Sequence, residues 1–111
     1  MRTTPERVAW LRDAAVLQKR SLSRLAGLDP SHVRLLENST GDRIGQRTAS
    51  ALAHVLGVEL AWLMLGVGPC IAAAPDLDPS DPAHHEAIAA HVRAAVERAR
   101  AVPPSALPEA A

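Results

Sequence analysis

Apolar residues recur along the first two-thirds of the chain in short runs, and a glycine or a turn closes most of them. Val8, Leu11 and Ala15 lie three and four residues apart, which predicts a helix from Thr4-Pro5 to about Ala15 with one buried face. Thr3 or Thr4 can cap it, Pro5 suits its first turn, and Glu6 sits where the helix dipole favours an acid. Leu22, Leu25 and Ala26 mark a second helix over about 18–26, ended by Gly27 because glycine takes the left-handed conformation without steric cost. Val33 and Leu36 are the inward residues of a third helix, from Pro30 to about Asn38 and capped by Asp29. Residues 38–45, NSTGDRIG, are turn chemistry. A fourth helix over about 46–56 buries Ala49, Leu52, Ala53 and Leu56 and stops at Gly57. A fifth, about 59–65, holds Leu60, Leu63 and Met64 before Gly66.

The pattern then changes. Residues 67–82, VGPCIAAAPDLDPSDP, contain four prolines and read as a linker or a surface-hugging arm. Beyond it, SDP marks the start of a helix over about 83–101. Its Ile88, Val92, Ala95, Ala99 and Val102 alternate spacings of four and three, a short heptad-like seam. That seam of mostly small residues can dock back on the domain or pair with its twin across a two-fold axis, and the heptad spacing favours dimerisation. The closing PPSALPEAA is expected to be disordered. The expected organisation is therefore an all-α, five-helix domain over 1–66, a Pro-rich linker over 67–82, and a C-terminal amphipathic helix with its tail over 83–111.

Composition narrows what this architecture can do. With 48% apolar residues but no Tyr or Phe and only two Trp, the core must be aliphatic, and a chain of 111 residues can bury one. No apolar run approaches the roughly 20 residues of a membrane span, and MRTTPERVAW lacks the apolar segment of a signal peptide. A lone cysteine, Cys70, cannot form an internal disulfide, so the chain reads as cytoplasmic. Its zero net charge hides an asymmetry. Residues 1–68 carry nine Arg and Lys against six Asp and Glu, whereas residues 69–111 carry three against six. Such asymmetry fits a nucleic-acid-binding half beside an acidic partner half, although a solvated surface produces it too.

Residues 5–66 resemble the lambda-repressor-like, XRE-type helix-turn-helix regulators. The likeness rests on SLSRLAGLDPSHVRLLE (21–37) and on ALAHVLGVELAWLMLG (51–66), with its Gly-Val-x-Leu-x-Trp-Leu pattern. Ser23 and Gly27 fall where the two helices of the motif must cross closely, and Val33 and Leu36 where the second one docks. The resemblance implies a five-helix fold and a DNA-binding function. It also implies that Glu37 is structural, paired with an Arg of the domain, and that Trp62 is a packed tryptophan. Three departures stand out. Gln18 and Lys19 occupy places where a small polar cap and a phosphate-holding Gln are usual, the loop after the third helix is one residue longer, and Glu59 starts the fifth helix.

The third helix's outward stripe is Ser31, Arg34, Leu35 and Asn38, at i, i+3, i+4 and i+7. A major groove about 12 Å wide admits such a helix. Arg34 can pair bidentately with guanine and Asn38 with adenine, Leu35 can touch a thymine methyl, and Ser31 and His32 can reach a base or a phosphate. Gln18, Lys19, Ser39, Thr40, Arg43 and Arg47 would hold the backbone on either side. The plain alternative is a solvated helix face. Other candidates are weaker. Cys70 with His84 or His85 suggests a nucleophile–base pair, but a proline-rich linker does not preorganise one. His84 and His91 stand seven residues, roughly 10 Å, apart along a helix, too far for one metal. No phosphate-cradling Gly-rich loop is present, so the reading contains no enzyme, metal or cofactor. The expected protein is a DNA-binding transcriptional regulator, a repressor on a palindromic operator as a homodimer. Its alternatives are an antitoxin whose residues 69–111 wrap a toxin, and a protein-interaction module without DNA binding.

Overall fold

The computed structural model describes residues 3–39 and 44–102, so the expected disordered tail, Thr40 and Arg43 lie outside the described residues. Six α-helices follow one another, and no strand occurs among the described residues. They are α1 (Thr4–Ala14), α2 (Lys19–Leu25), α3 (His32–Glu37), α4 (Gln46–Leu56), α5 (Leu60–Leu65) and α6 (His85–Ala101), the last preceded by a 3₁₀ turn at Pro82–His84.

Local chemistry explains where the helices begin and end. Thr3, not Thr4, caps α1. Its hydroxyl oxygen accepts the Glu6 N–H at 3.3 Å while its hydroxyl donates to Glu6 Oε1 at 3.0 Å. Gly27 and Gly57 end α2 and α4 at φ +73° and +71°. α3 is shorter than the sequence suggests. Asp29, Pro30 and Ser31 form a turn in which the His32 N–H bonds the Asp29 carbonyl at 2.9 Å, and the helix begins only at His32. Asp29 is therefore not the cap the sequence suggests: Ser31 holds that position without a side-chain bond into the helix, and the Asp29 carboxylate instead closes the turn by accepting the Ser31 N–H at 2.9 Å.

Two buried polar contacts set the angle between α2 and α3. Ser23 is fully buried, and its hydroxyl donates to the Lys19 carbonyl while accepting the Val33 N–H, both at 3.0 Å. One side chain thus satisfies an otherwise orphaned amide of α3 and ties the two helices together. Arg12 and Glu37 then clamp α3 to α1 through a bidentate pair at 2.7 and 3.0 Å, with side chains only 14% and 7% exposed. The hydrogen bonds and charge of Glu37 raise the Arg12 guanidinium above its ordinary pKa. A second buried arginine went unnoticed in the sequence. Arg7 donates to the Leu63 carbonyl at 2.8 Å and the Met64 carbonyl at 3.0 Å, so it neutralises the end of α5.

Residues 67–82 form an arm laid against the domain. The Glu59 N–H bonds the Cys70 carbonyl at 2.9 Å, and Cys70 and Ile71 are both buried in the core. α6 then packs on α1 and α4 and belongs to the same hydrophobic core as the first five helices.

This corrects the expected dimer seam. Ile88 and Val92 are 0% exposed and Ala95 is buried within the single chain, Ala99 is half-buried, and only Val102 at the helix end is exposed. Small residues at this spacing let α6 approach its own domain closely. A Cβ added to Gly57 would stand 2.6 Å from the Ala95 Cβ, so the approach needs both a glycine and an alanine. Polar contacts fix the register. The His91 Nε2 bonds the Gly57 carbonyl at 2.8 Å and Arg93 donates to the Ala14 carbonyl at 3.2 Å, so α6 caps the ends of both helices beneath it. At its start, the His85 ring meets Trp10 edge-on at 5.1 Å. The unexpected burial of Val55 has the same cause, because α4 is covered on a second face.

Candidate nucleic-acid interface

α3 forms a ridge between two hollows. One, of about 620 Å³, lies between the starts of α2 and α3 and is lined by Lys19, Arg20, Asp29, Pro30, Ser31 and Arg34. The other, of about 410 Å³, lies between α3 and the start of α4, with His32, Leu35, Ser39, Ile44 and Thr48 on its walls. The structure therefore gathers Lys19, Ser31 and Arg34 on one flank and His32, Leu35 and Ser39 on the other. Asn38, Gln18 and Arg47 are exposed but line neither hollow. Arg20, Asp29 and Pro30 were not singled out in the sequence as part of this face. The proximity of Arg20 to Lys19 at the start of α2 was the available signal for the first of them.

The inward face of α3, Val33 and Leu36, is buried, and Ser23 and the Arg12–Glu37 pair hold the helix at both ends. Its outward residues Arg34 and Leu35 are exposed, as is Asn38 at its end. Leu35 is 61% exposed, and among the described residues the Arg34 side chain has no hydrogen-bond or ion-pair partner. A rigidly mounted helix with an unpaired guanidinium between two hollows can present donors to a nucleic-acid groove without first breaking internal bonds.

The remaining candidates are placed elsewhere. Cys70 is buried, and desolvation pushes its thiol up to about 12, which leaves no thiolate at neutral pH. His84 accepts the Asp78 N–H through Nδ1 at 2.9 Å, and His85 bonds the Pro79 carbonyl at 2.6 Å, so both rings are engaged within the arm. Trp62 is buried, as the resemblance implied, and Trp10 is partly buried. No helix of the described residues is long and apolar enough to cross a membrane.

The helix-turn-helix family model matches residues 8–63, half of the 111-residue chain, and covers every element that mounts α3. The chain belongs to the XRE-type, lambda-repressor-like helix-turn-helix family, whose domains bind DNA in transcription regulators. No curated protein and no solved structure matches it.

Proposed function

We propose that the chain is a cytoplasmic transcriptional repressor that occupies promoter DNA, with α3 in the major groove and two copies on a palindromic operator. The observation that carries this is the unpartnered Arg34 guanidinium beside the exposed Leu35 on a helix that Ser23 and the Arg12–Glu37 pair hold in place. Arg34 takes guanine, Leu35 a thymine methyl and Asn38 adenine, while Ser31 contacts one of the first bases and His32 a base or the neighbouring phosphate. Lys19 and Gln18 on one side, and Ser39 and Arg47 on the other, neutralise or hydrogen-bond phosphates.

A helix of six residues reads only a few base pairs, so two half-sites about one helical turn apart supply the specificity one copy lacks. Pairing of the two copies does not use Ile88, Val92 and Ala95, which are buried within each chain. Footprinting on the DNA upstream of the protein's own gene tests the assignment. Protection of two half-sites one turn apart, lost in Arg34→Ala, is the expected result. Absence of any protected sequence there and in a random duplex pool would overturn it.

A further inference from the structure

The hollow between the starts of α2 and α3 sets one carboxylate, Asp29, among the cations Lys19, Arg20 and Arg34. A carboxylate on a DNA-facing surface repels phosphate, so if it contacts DNA it must meet a hydrogen-bond donor on a base edge. The local hydrogen bonds fix what this corner offers. Asp29 Oδ1 accepts both the Ser31 N–H at 2.9 Å and the Ser31 hydroxyl at 2.6 Å. The single proton of the Ser31 hydroxyl is thereby committed to Asp29, so its oxygen can only accept a further bond. The same two bonds hold the Asp29 carboxyl below its ordinary range, so it is ionised at neutral pH and only accepts. The start of α3 therefore presents acceptors, and Arg34 in the same hollow presents only donors.

In the major groove the donors are the amino groups of cytosine (N4) and adenine (N6), and guanine shows only the acceptors O6 and N7. A carboxylate and a guanidinium lining one hollow thus match the edge of a C·G pair, which has a donor on one side and two acceptors on the other. We propose that Asp29 is a base reader that takes the N4 amino group of a cytosine, with Arg34 on the guanine paired with it. The proposal rests on the assignment of α3 as the DNA-reading helix.

Asp29→Asn separates reading from folding. The amide oxygen can still accept the two Ser31 bonds, so the turn is kept, and the group left facing outward changes from an acceptor to a donor. Selection of bound duplexes from a randomised pool is carried out with the full chain and with this variant, after thermal unfolding confirms that both fold alike. The expected result is a cytosine in the wild-type site that the variant no longer selects, replaced by a base with an acceptor edge, all other positions being unchanged. Binding of the variant to the wild-type site should fall about ten- to a hundredfold. Identical selected sequences, or a uniform loss of affinity without a change of base, would reduce Asp29 to closing the turn and overturn the proposal alone. If the wild-type chain selects no sequence at all, the DNA-reading assignment fails first and the proposal fails with it.

Discussion

α3 and α6 each carry a stripe at helical spacing, Ser31, Arg34, Leu35 and Asn38 on one and Ile88, Val92, Ala95 and Ala99 on the other. In the folded chain the two have opposite fates. Arg34, Leu35 and Asn38 stand in solvent, while Ile88, Val92 and Ala95 are buried against α1 and α4. Spacing identifies a face, and side-chain chemistry decides what covers it. An apolar stripe joined to its own domain by a short arm meets that domain at an effective concentration no second copy matches. A stripe with a guanidinium and an amide at its centre finds no such place in an aliphatic core, because each polar group would need a partner there. The exposed stripe is therefore the one available to an outside ligand.

The largest effect that could break this contrast comes from Val92→Asp. Val92 is fully buried, so the substitution places an unpaired charge in the core at a cost of about 4 kcal/mol or more. Thermal unfolding followed by circular dichroism should show the cooperative transition lost or moved far down. A variant that melts normally and differs only in oligomeric state would restore the seam as a dimer contact.

Gly57→Ala comes next. It imposes a left-handed conformation on alanine and drives its Cβ to 2.6 Å from that of Ala95, for a cost of about 2–4 kcal/mol. Ala95→Gly in the same chain should return the steric part of that loss, and calorimetry of the two variants would show it. No recovery would mean that α6 does not lie on the α4–α5 turn.

These two residues also show how much was legible in the sequence. Gly27 and Gly57 announced their helix ends, and Val33 and Leu36 the inward face of α3, because each depends on its own residue type and near neighbours, whereas the close crossing at Ser23 came from the resemblance. The structural role of Glu37 was likewise legible only through resemblance. Its partner Arg12 lies 25 residues away, and nothing local connects them. The docking of α6 was not legible for a similar reason. Its acceptor is a second face of α1 and α4, marked mainly by Val55 and Trp10, and one residue each does not announce a face. Arg7 went unnoticed because the carbonyls it caps belong to the end of α5, far along the chain. Asp29 was read as a cap, and that local role concealed what its exposed position adds.

On the exposed stripe, Arg34→Ala should weaken binding to the best operator by about 1–3 kcal/mol and relax preference at one base pair, as titration against a panel of single-base variants would show. Equal losses on every sequence would make Arg34 a phosphate contact. The smallest effect is Lys19→Ala, which should weaken all sequences alike. With two to four phosphates neutralised by each bound chain, log affinity should fall with log salt at a slope of about −2 to −4 per chain. Lys19→Ala should make that slope shallower by about one. An unchanged slope would place Lys19 away from the backbone.

The contrast between the two helices is tested most directly by titrating the isotopically labelled full chain with its selected duplex and following backbone amide resonances. The amides of Ser31–Asn38 and of Lys19 should move in proportion to bound DNA, and those of Ile88–Val96 should stay in place. Movement along α6 with α3 unperturbed would contradict the account.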